Sequence, residues 1–450
     1  MRIDTALFER IQRFDHAILT FIDDQGFPMS VATGFRTDAT TKTLTLDLPA
    51  GAVARPRDGQ LIAVAFSHIQ PQQGIGYNER RYVEVKGTAR LGDGTIQVTP
   101  TRAHGWDENE LSFFELCERA VPKGLAYMRK LSAERGREVK PRLAWTWLFF
   151  RATRLPFLTA TLVPVLLGIA VAAFQGVFDW GLALLTLLAA ALVHLGLNVA
   201  NDIFDHLTGA DPTNVNPTPF SGGSRVIQYG LISLRGMVGL AALFYGLSAA
   251  IGLYLAWTRA FWPLVTIGVI GLFISVFYTA PPFRFVARGL GEVATALGFG
   301  PIMTLGAYYV QAQRFSWEAV YASIPVGILI ALVLYVNEIA DRQPDAQSGK
   351  HTLVVRLSRQ AVVRGYALAV SATYLLVIAG VAVGLLPWPT LLTLLSAPLA
   401  WQVYQGIQQG YESPYALMGP MAKNIQLHLA TGLLLFAGYV VAIVGPRLLG

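Results

Sequence analysis

Two short clusters of carboxylate and amide side chains stand at the ends of long apolar segments, and each has helical spacing. The first cluster consists of Asn198, Asn201, Asp202, Asp205 and Asp211. The second cluster consists of Asn337, Glu338, Asp341 and Asp345. Residues at positions i, i+4 and i+7 or i+8 of a helix share one face, so each cluster predicts a helix face that presents carboxylates.

These residue types predict a site for a diphosphate held by magnesium. Ionisable side chains at the edge of a bilayer core are costly, so they indicate function by default. Mg²⁺ takes oxygen ligands and commonly shares them between carboxylates and substrate phosphates. A lone aspartate pair at a helix end is more often a cap or a solvated charge. Its recurrence, with Asn one turn before Asp both times, favours the functional interpretation.

The loops after the clusters carry residues suited to anions. The segment Ser221-Gly222-Gly223-Ser224-Arg225 follows the first cluster, and Gly349-Lys350-His351-Thr352 follows the second. Glycines allow backbone N–H groups to approach an anion, and an arginine can clamp a phosphate. An isolated SGGS segment is more often a flexible turn. It supports the phosphate interpretation here because it follows the first acidic cluster. The chain has no GxxxxGK[ST] motif, which argues against a nucleoside-triphosphate motor.

Composition divides the chain into a soluble part and a membrane part. Charged residues make up 14% of the 450 residues, against roughly 25% in soluble domains, and they are concentrated in the first 154 residues. The single cysteine, Cys117, excludes an internal disulfide framework and a multi-cysteine metal site. The first 30 residues lack a sustained apolar core, so no secretory signal is expected.

After Arg154, nine apolar segments are long enough, or nearly so, to span a bilayer of roughly 30 Å as helices. They cover about 156–174, 180–199, 236–257, 261–279, 289–310, 318–338, 364–386, 388–404 and 425–445. Basic residues border alternate loops, which places the N-terminal part and both acidic clusters on the cytoplasmic side of a cell membrane. The net charge of +7 therefore reflects membrane topology, and no nucleic-acid partner is expected.

The motifs between about 151 and 359 resemble the UbiA superfamily of intramembrane aromatic prenyltransferases. The matching stretches are Arg151-Ala-Thr-Arg154-Leu155-Pro156, Asn198-x-x-Asn201-Asp202-x-x-Asp205, Gly222-Gly223-Ser-Arg225, Tyr278-Thr-Ala-Pro-Pro-Phe-Arg284 and Asn337-x-x-x-Asp341-x-x-x-Asp345-x-x-x-Gly349-Lys350. Gly209 stands where many ubiquinone-type members have an aspartate, and the acid comes at Asp211. This spacing resembles the branch that prenylates 1,4-dihydroxy-2-naphthoate in menaquinone synthesis. In the second cluster, Ala340 stands where members of the superfamily often have an arginine before the aspartate, and Glu338 is also unusual there.

The resemblance implies a role for each matching residue. Mg²⁺ would be held by Asp202, Asp205, Asp341, Asp345 and Asn198. The prenyl diphosphate would be bound by Asn198, Asn201, Arg151, Arg225, Arg284 and Lys350. The four aspartates and Tyr278 are expected to be catalytic, with the ring of Tyr278 steadying an allylic cation. A tyrosine of the interface belt is an equally good interpretation of Tyr278, and His194 is expected to be a buried polar residue.

The first 115 residues read as short strands separated by turn signals, which predicts a small β-barrel. Their order resembles the pyridoxamine-5′-phosphate oxidase-like split barrels, which often bind FMN. Flavin phosphate would need donors such as Arg80, Arg81, Ser67 and Lys86, and a barrel without cofactor is an equal alternative. The expected fold is thus a split barrel at 1–118, a basic helical connector at 119–150, and an all-α bundle of about nine transmembrane helices at 151–450.

Three other functions remain open on the sequence. A membrane transporter also places polar groups near the ends of its helices, but here the acids cluster on one side. A prenyltransferase could use another acceptor, such as 4-hydroxybenzoate, a haem, a chlorophyllide or glycerol phosphate. A flavin reductase with a membrane anchor would need far fewer spans.

Overall fold

The computed structural model of the protein describes residues 2–47, 54–71, 77–111, 113–139, 143–214, 218 and 220–449. The chain divides into two compact units, Met1–Cys117 and Glu118–Gly450. The predicted split at 118 and 150 remains a prediction.

The first unit is a short helix followed by an antiparallel sheet. The elements are α1 Thr5–Ile11, β1 Ala17–Ile22, β2 Pro28–Thr33, β3 Phe35–Asp38, β4 Thr43–Asp47, β5 Leu61–Pro71, β6 Tyr77–Gly92 and β7 Thr95–Asp107. The strand order is β2-β1-β5-β6-β7-β4-β3, and all neighbours are antiparallel. Alternate residues such as Leu44 and Leu46 point into one core, as the period of two requires.

The second unit is helical. In chain order, its helices, with the one that leads into it, are α2 Phe113–Arg135, α3 Trp145–Thr153, α4 Thr159–Phe174, α5 Trp180–Thr208, α6 Ala210–Thr213, α7 Leu234–Thr258, α8 Phe261–Phe277, α9 Gly291–Leu297, α10 Met303–Ala312, α11 Trp317–Gln347, α12 Leu353–Arg356, α13 Arg359–Ala382, α14 Ala397–Gly410 and α15 Met418–Leu449. A π-helical turn at Gly298–Ile302 joins α9 to α10.

Seven helices of the described chain are long and apolar enough to cross a membrane. They are Leu155–Phe174, Trp180–Thr208, Leu234–Thr258, Gly291–Ala312, Trp317–Gln347, Arg359–Ala382 and Met418–Gly445. The apolar helix α8 is shorter. The predicted segment 388–404 begins as a 3₁₀ helix, Trp388–Ser396, and continues as α14. Nine spans are therefore not confirmed.

Local sequence explains where the two cluster-bearing helices begin and end. Asp179 caps α5, because its carboxylate accepts a hydrogen bond from the N–H of Leu182 at 2.8 Å. The same helix stops at Gly209, whose φ of +85° suits glycine. The hydroxyl of Ser316 caps α11 in the same way. Both helices therefore carry their acidic cluster in their last turns.

Helices α9 and α11 pack closely against each other in the second unit. A Cβ atom on Gly327 of α11 would lie 2.6 Å from the carbonyl oxygen of Ala296 on α9. Only glycine permits this close approach, which allows α9 to pack directly against α11, the helix that carries the second cluster.

Candidate active site

A cavity of about 550 Å³ lies among the helices of the membrane unit, and it has distinct polar and apolar linings. Most of its wall is apolar and comes from α5, α7, α8, α10 and α11. The polar lining includes Arg154, Asn198, Asn201, Asp205, Asp211, Asn214, Asn337, Glu338, Asp341, Asp345 and Lys350. Residues 139 positions apart in sequence, such as Asn198 and Asn337, thus line one space.

The first aspartate set is held by cations and backbone donors. Asp202 is 2% exposed and pairs with the guanidinium of Arg154. The backbone N–H of Ser224 also donates to Asp202, at 3.2 Å. One turn later, Asp205 accepts a hydrogen bond from the side-chain amide of Asn201 at 3.2 Å. The loop after α5 therefore folds back onto the carboxylates that precede it.

The second aspartate set contacts the same loop. Asp341 accepts a hydrogen bond from the backbone N–H of Gly222 at 3.0 Å and one from the amide of Asn214, also at 3.0 Å. Asp345 lies one turn further along α11 and is 5% exposed. The glycine-rich loop thus bridges both clusters, with Ser224 bound to one and Gly222 to the other.

Lys350 joins the two clusters directly. Its ammonium lies 3.2 Å from Asp205 Oδ2 and 3.4 Å from Asp345 Oδ1. Burial opposes the charge of Lys350, but the neighbouring carboxylates of Asp205 and Asp345 prevail and raise its pKa well above the usual range. A positive charge between the two acidic helix ends is therefore built into the site.

Asp211 also belongs to the polar end. It is 4% exposed and accepts a hydrogen bond from Gln228 at 3.3 Å. Burial, helped by the charges of Asp202 and Asp205, raises the pKa of Asp211 to about 8. In the absence of metal this carboxyl group is consequently neutral at pH 7.

The raised pKa predicts a pH dependence that Asp211→Asn should remove. Between the ordinary pKa of 3.8 and about 8, the folded protein binds a proton that the unfolded chain releases. Stability must therefore fall as pH rises through this window. In metal-free buffer, we expect the Tm of the wild type to fall more than that of the variant between pH 5 and pH 8.5. Parallel profiles would contradict this role of Asp211.

Gly223 is required by the turn that brings the loop to Asp211. Its φ is +78°, and a Cβ atom there would collide with the carboxylate of Asp211. We expect Gly223→Ala to displace the loop and to lower the activity of the site at least about tenfold, since a misplacement of about 1 Å can cost 100-fold. Gly230→Ala is the matched control, because Gly230 has a φ of +65° but open space around it. Equal activity of the two variants would show that the contact with Asp211 is unimportant.

Three arginines predicted to bind the diphosphate lie outside the described lining of the cavity, namely Arg151, Arg225 and Arg284. Arg151 donates to the carbonyl of Ser224 at 2.8 Å. Arg225 donates to the carbonyls of Asp211 and Asn214. Both therefore brace the loop in this structure, and their direct binding of diphosphate remains a prediction.

Arg154 lines the cavity instead, and the sequence did not single it out as a site residue. It ends α3 in the left-handed conformation with φ +50°, which turns the chain directly before the first span. Its guanidinium then reaches Asp202, 48 residues later. The matching Arg151-Ala-Thr-Arg154 stretch was the available signal, but spacing alone did not decide which arginine points inward.

The remaining predicted residues are placed as follows. Tyr278 lines the cavity immediately after α8. Asn198 also lines it and donates to the carbonyl of Thr153 at 2.9 Å. His194 is 5% exposed, and its Nδ1 lies 2.7 Å from the hydroxyl of Thr161.

In the first unit, the basic residues considered for flavin phosphate face carboxylates. Arg80 is bound by Glu108, with Nε 3.1 Å from Oε2. Arg81 lies 3.6 Å from Glu79. Lys86 lies 3.7 Å from Glu84 on the same strand. The charge that a flavin phosphate would use is thus already balanced at each of these positions, and Ser67 lies on β5.

Comparison with known proteins gives consistent matches over the membrane unit. Residues 161–426 match the UbiA prenyltransferase family. A 2-carboxy-1,4-naphthoquinone phytyltransferase from Synechocystis sp. is 30% identical over 65% of this chain and 92% of the relative. A 1,4-dihydroxy-2-naphthoate octaprenyltransferase from Bacillus subtilis is 26% identical over 66% and 93%, and one from Mycobacterium tuberculosis is 32% identical over 55% and 82%. The solved structure of a UbiA homologue from Archaeoglobus fulgidus bound to DMAPP and Mg²⁺ is 16% identical over 64% and 99%, with a TM-score of 0.44.

Proposed function

The chain belongs to the UbiA prenyltransferase family, and we propose that it transfers a polyprenyl group from its diphosphate to 1,4-dihydroxy-2-naphthoate in menaquinone synthesis. The observation that carries the proposal is the meeting of two aspartate sets at one end of an apolar cavity, with Lys350 between them. The names of the relatives from Bacillus subtilis and Mycobacterium tuberculosis support the naphthoate acceptor.

Magnesium fits the donor set as a metal shared with the substrate. Among the described residues, no group of three or more acidic, histidine or cysteine side chains is placed to hold a metal by itself. Mg²⁺ commonly takes one or two carboxylates and completes its shell with phosphate oxygens and water. We infer that Asp202, Asp205, Asp341 and Asp345, with Asn198, hold Mg²⁺ together with the diphosphate. The bound metal would stabilise the charge that develops on the leaving group.

The other residues of the site would act on the diphosphate and on the prenyl chain of the substrate. Lys350 and Arg154 supply positive charge beside the carboxylates, which favours departure of the diphosphate. The apolar wall holds the prenyl tail and excludes water from the allylic cation, which water would otherwise trap. The ring of Tyr278 lies on that wall, where its π-face suits the cation.

An acceptor panel tests the proposal. The full-length protein is purified in detergent and incubated with Mg²⁺, a labelled polyprenyl diphosphate and one acceptor at a time. We expect a prenylated product with 1,4-dihydroxy-2-naphthoate and little with 4-hydroxybenzoate, haem, chlorophyllide or glycerol phosphate. Preference for another acceptor would overturn the naphthoate assignment. Movement of a substrate across liposomes without consumption of diphosphate would support a transporter instead.

We also propose nine spans with a cytoplasmic active site. The short helix α8 and the segment 388–410 would complete the seven longer spans, and alternate basic loops support the orientation. Because Cys117 is the single cysteine, a Cys117→Ser background permits labelling of one introduced cysteine at a time. Cysteine at position 349 should react only with reagents on the cytoplasmic side. Reaction from the outside alone would contradict the orientation.

For the first unit we propose the split-barrel fold, supported by its single antiparallel sheet of seven strands. Binding of FMN remains a hypothesis, since Arg80, Arg81 and Lys86 are engaged by carboxylates. Full-length protein incubated with excess FMN and then desalted should retain flavin absorbance if the hypothesis holds. Protein free of flavin after this treatment would reject it.

A further inference from the structure

Two buried glutamates beside the active site receive no hydrogen bond from any other described residue. Glu338 of α11 is 4% exposed, and Glu292 of α9 is 9% exposed. In the part of the chain that the structure describes, no other residue donates a hydrogen bond to any of their four carboxyl oxygens. The side chains of the two residues face each other across the contact between α9 and α11.

Glu338 lies further from the acidic end of the cavity than the aspartates of α11 do. It lies on α11 three residues before Asp341, which places it about 4.5 Å further along the helix axis from the acidic end. Its side chain lines the cavity together with Tyr278 and Leu334. The glutamate therefore stands between the aspartate sets and the apolar part of the wall, where the reacting ends of donor and acceptor must meet.

Two of the neighbouring donors, Lys350 and Tyr335, are already engaged. Lys350 is held by Asp205 and Asp345. Tyr335 donates its hydroxyl to the carbonyl of Val362 at 3.1 Å. A buried polar group without a partner is costly, and the cost is removed when a ligand supplies the donor. The glutamate pair consequently suits a molecule that brings an O–H group.

We propose that Glu338, supported by Glu292, accepts a hydrogen bond from a ring hydroxyl of the aromatic acceptor and thereby selects hydroxylated acceptors. This inference rests on the proposed prenyl transfer and adds the residue that orients the ring. It assigns Glu338 a role separate from the metal-binding aspartates, so loss of its carboxylate should affect the acceptor and leave the use of diphosphate and Mg²⁺ unchanged.

The test compares 1,4-dihydroxy-2-naphthoate with its two mono-methyl ethers in the purified full-length protein. For the wild type, kcat/KM should fall about 10- to 100-fold with one ether, since a buried carboxyl oxygen is left without a donor. Glu338→Leu should treat that ether and the parent acceptor within about threefold of each other, because a side chain without an acceptor atom forms the bond with neither of them. In calorimetric titrations of the wild type without diphosphate, the Kd of that ether should exceed the Kd of the parent acceptor by a similar factor.

Two further variants keep the result interpretable. Glu318→Gln is the control on the same helix, since Glu318 is hydrogen-bonded by Gln175 and Tyr439 at the opposite end of α11. It should retain the discrimination of the wild type. Glu292→Gln should reduce the discrimination less than Glu338→Leu does.

Discrimination retained by Glu338→Leu would overturn the inference while leaving the proposed prenyl transfer intact. A shifted Mg²⁺ dependence with unchanged acceptor selection would also overturn it, because the pair would then be a cation site. Wild type that makes no product with any acceptor would instead refute the proposed function itself.

Discussion

Asparagine in place of Asp202 or Asp341 is expected to lower kcat/KM for prenyl transfer by about 100- to 1000-fold. The amide keeps the shape of the carboxylate and can still accept hydrogen bonds from the N–H groups of Ser224 and Gly222. It loses the negative charge that a divalent metal requires. Both variants should therefore still fold but lose activity, and Asp202→Asn should have the lower Tm because it breaks the buried ion pair with Arg154. Raising Mg²⁺ should recover part of the lost rate if weakened metal binding is the cause.

The measurement is prenyl transfer by each purified variant over a range of Mg²⁺ concentrations, with Tm recorded in parallel. Glu412→Gln is the matched control, because Glu412 is an exposed acid that pairs with Arg342 and Arg359 away from the cavity. It should retain wild-type activity. Full activity of Asp202→Asn or Asp341→Asn with Mg²⁺ would contradict the assignment of the aspartates.

Lys350→Met should have the second large effect, and it should act on stability as well as on activity. Removal of the ammonium leaves Asp205 and Asp345 buried without their common cation. Breaking a buried ion pair in this way costs about 3–5 kcal/mol. We expect a lower Tm in EDTA, and a partial recovery in Mg²⁺ because the metal replaces the missing charge.

Thermal unfolding in EDTA and in Mg²⁺ measures this effect. Lys423→Met is the control, since Lys423 is exposed and its replacement should change Tm little. If Lys350→Met unfolded at the wild-type temperature in EDTA, the ion pairs would contribute little to the site. If Mg²⁺ stabilised Lys350→Met no more than the wild type, the metal would not replace the positive charge of the missing ammonium.

The sequence predicted the two carboxylate-bearing helix ends because helical spacing is local. Asp202 and Asp205 share a face for the same reason that Asp341 and Asp345 do, whatever surrounds them. Family membership, now shown over residues 161–426, followed from the same motifs. The choice between Arg151 and Arg154 could not be made in this way. It depends on a left-handed turn at Arg154 and on contacts 48 residues away.

The contacts of the glycine-rich loop and the number of spans also could not be predicted from local sequence. The glycines of the SGGS segment were expected to offer N–H groups to an anion, and in the structure Gly222 offers its N–H to Asp341. Hydropathy identified the segment 388–404 as apolar, but it does not distinguish one long α-helix from a 3₁₀ helix followed by α14. Pro398, inside that segment at the start of α14, has no N–H with which a single long α-helix could continue from the preceding turn.

The central claim is Mg²⁺-dependent prenylation of a naphthoate by the two aspartate sets. Its most direct test is product formation by the purified full-length protein from octaprenyl or phytyl diphosphate and 1,4-dihydroxy-2-naphthoate, followed by mass spectrometry. We predict a prenylated 1,4-dihydroxynaphthalene product in Mg²⁺, with none above background in EDTA or from Asp202→Asn. Equal product in EDTA, or a failure to prenylate the naphthoate while another acceptor is used, would contradict the account.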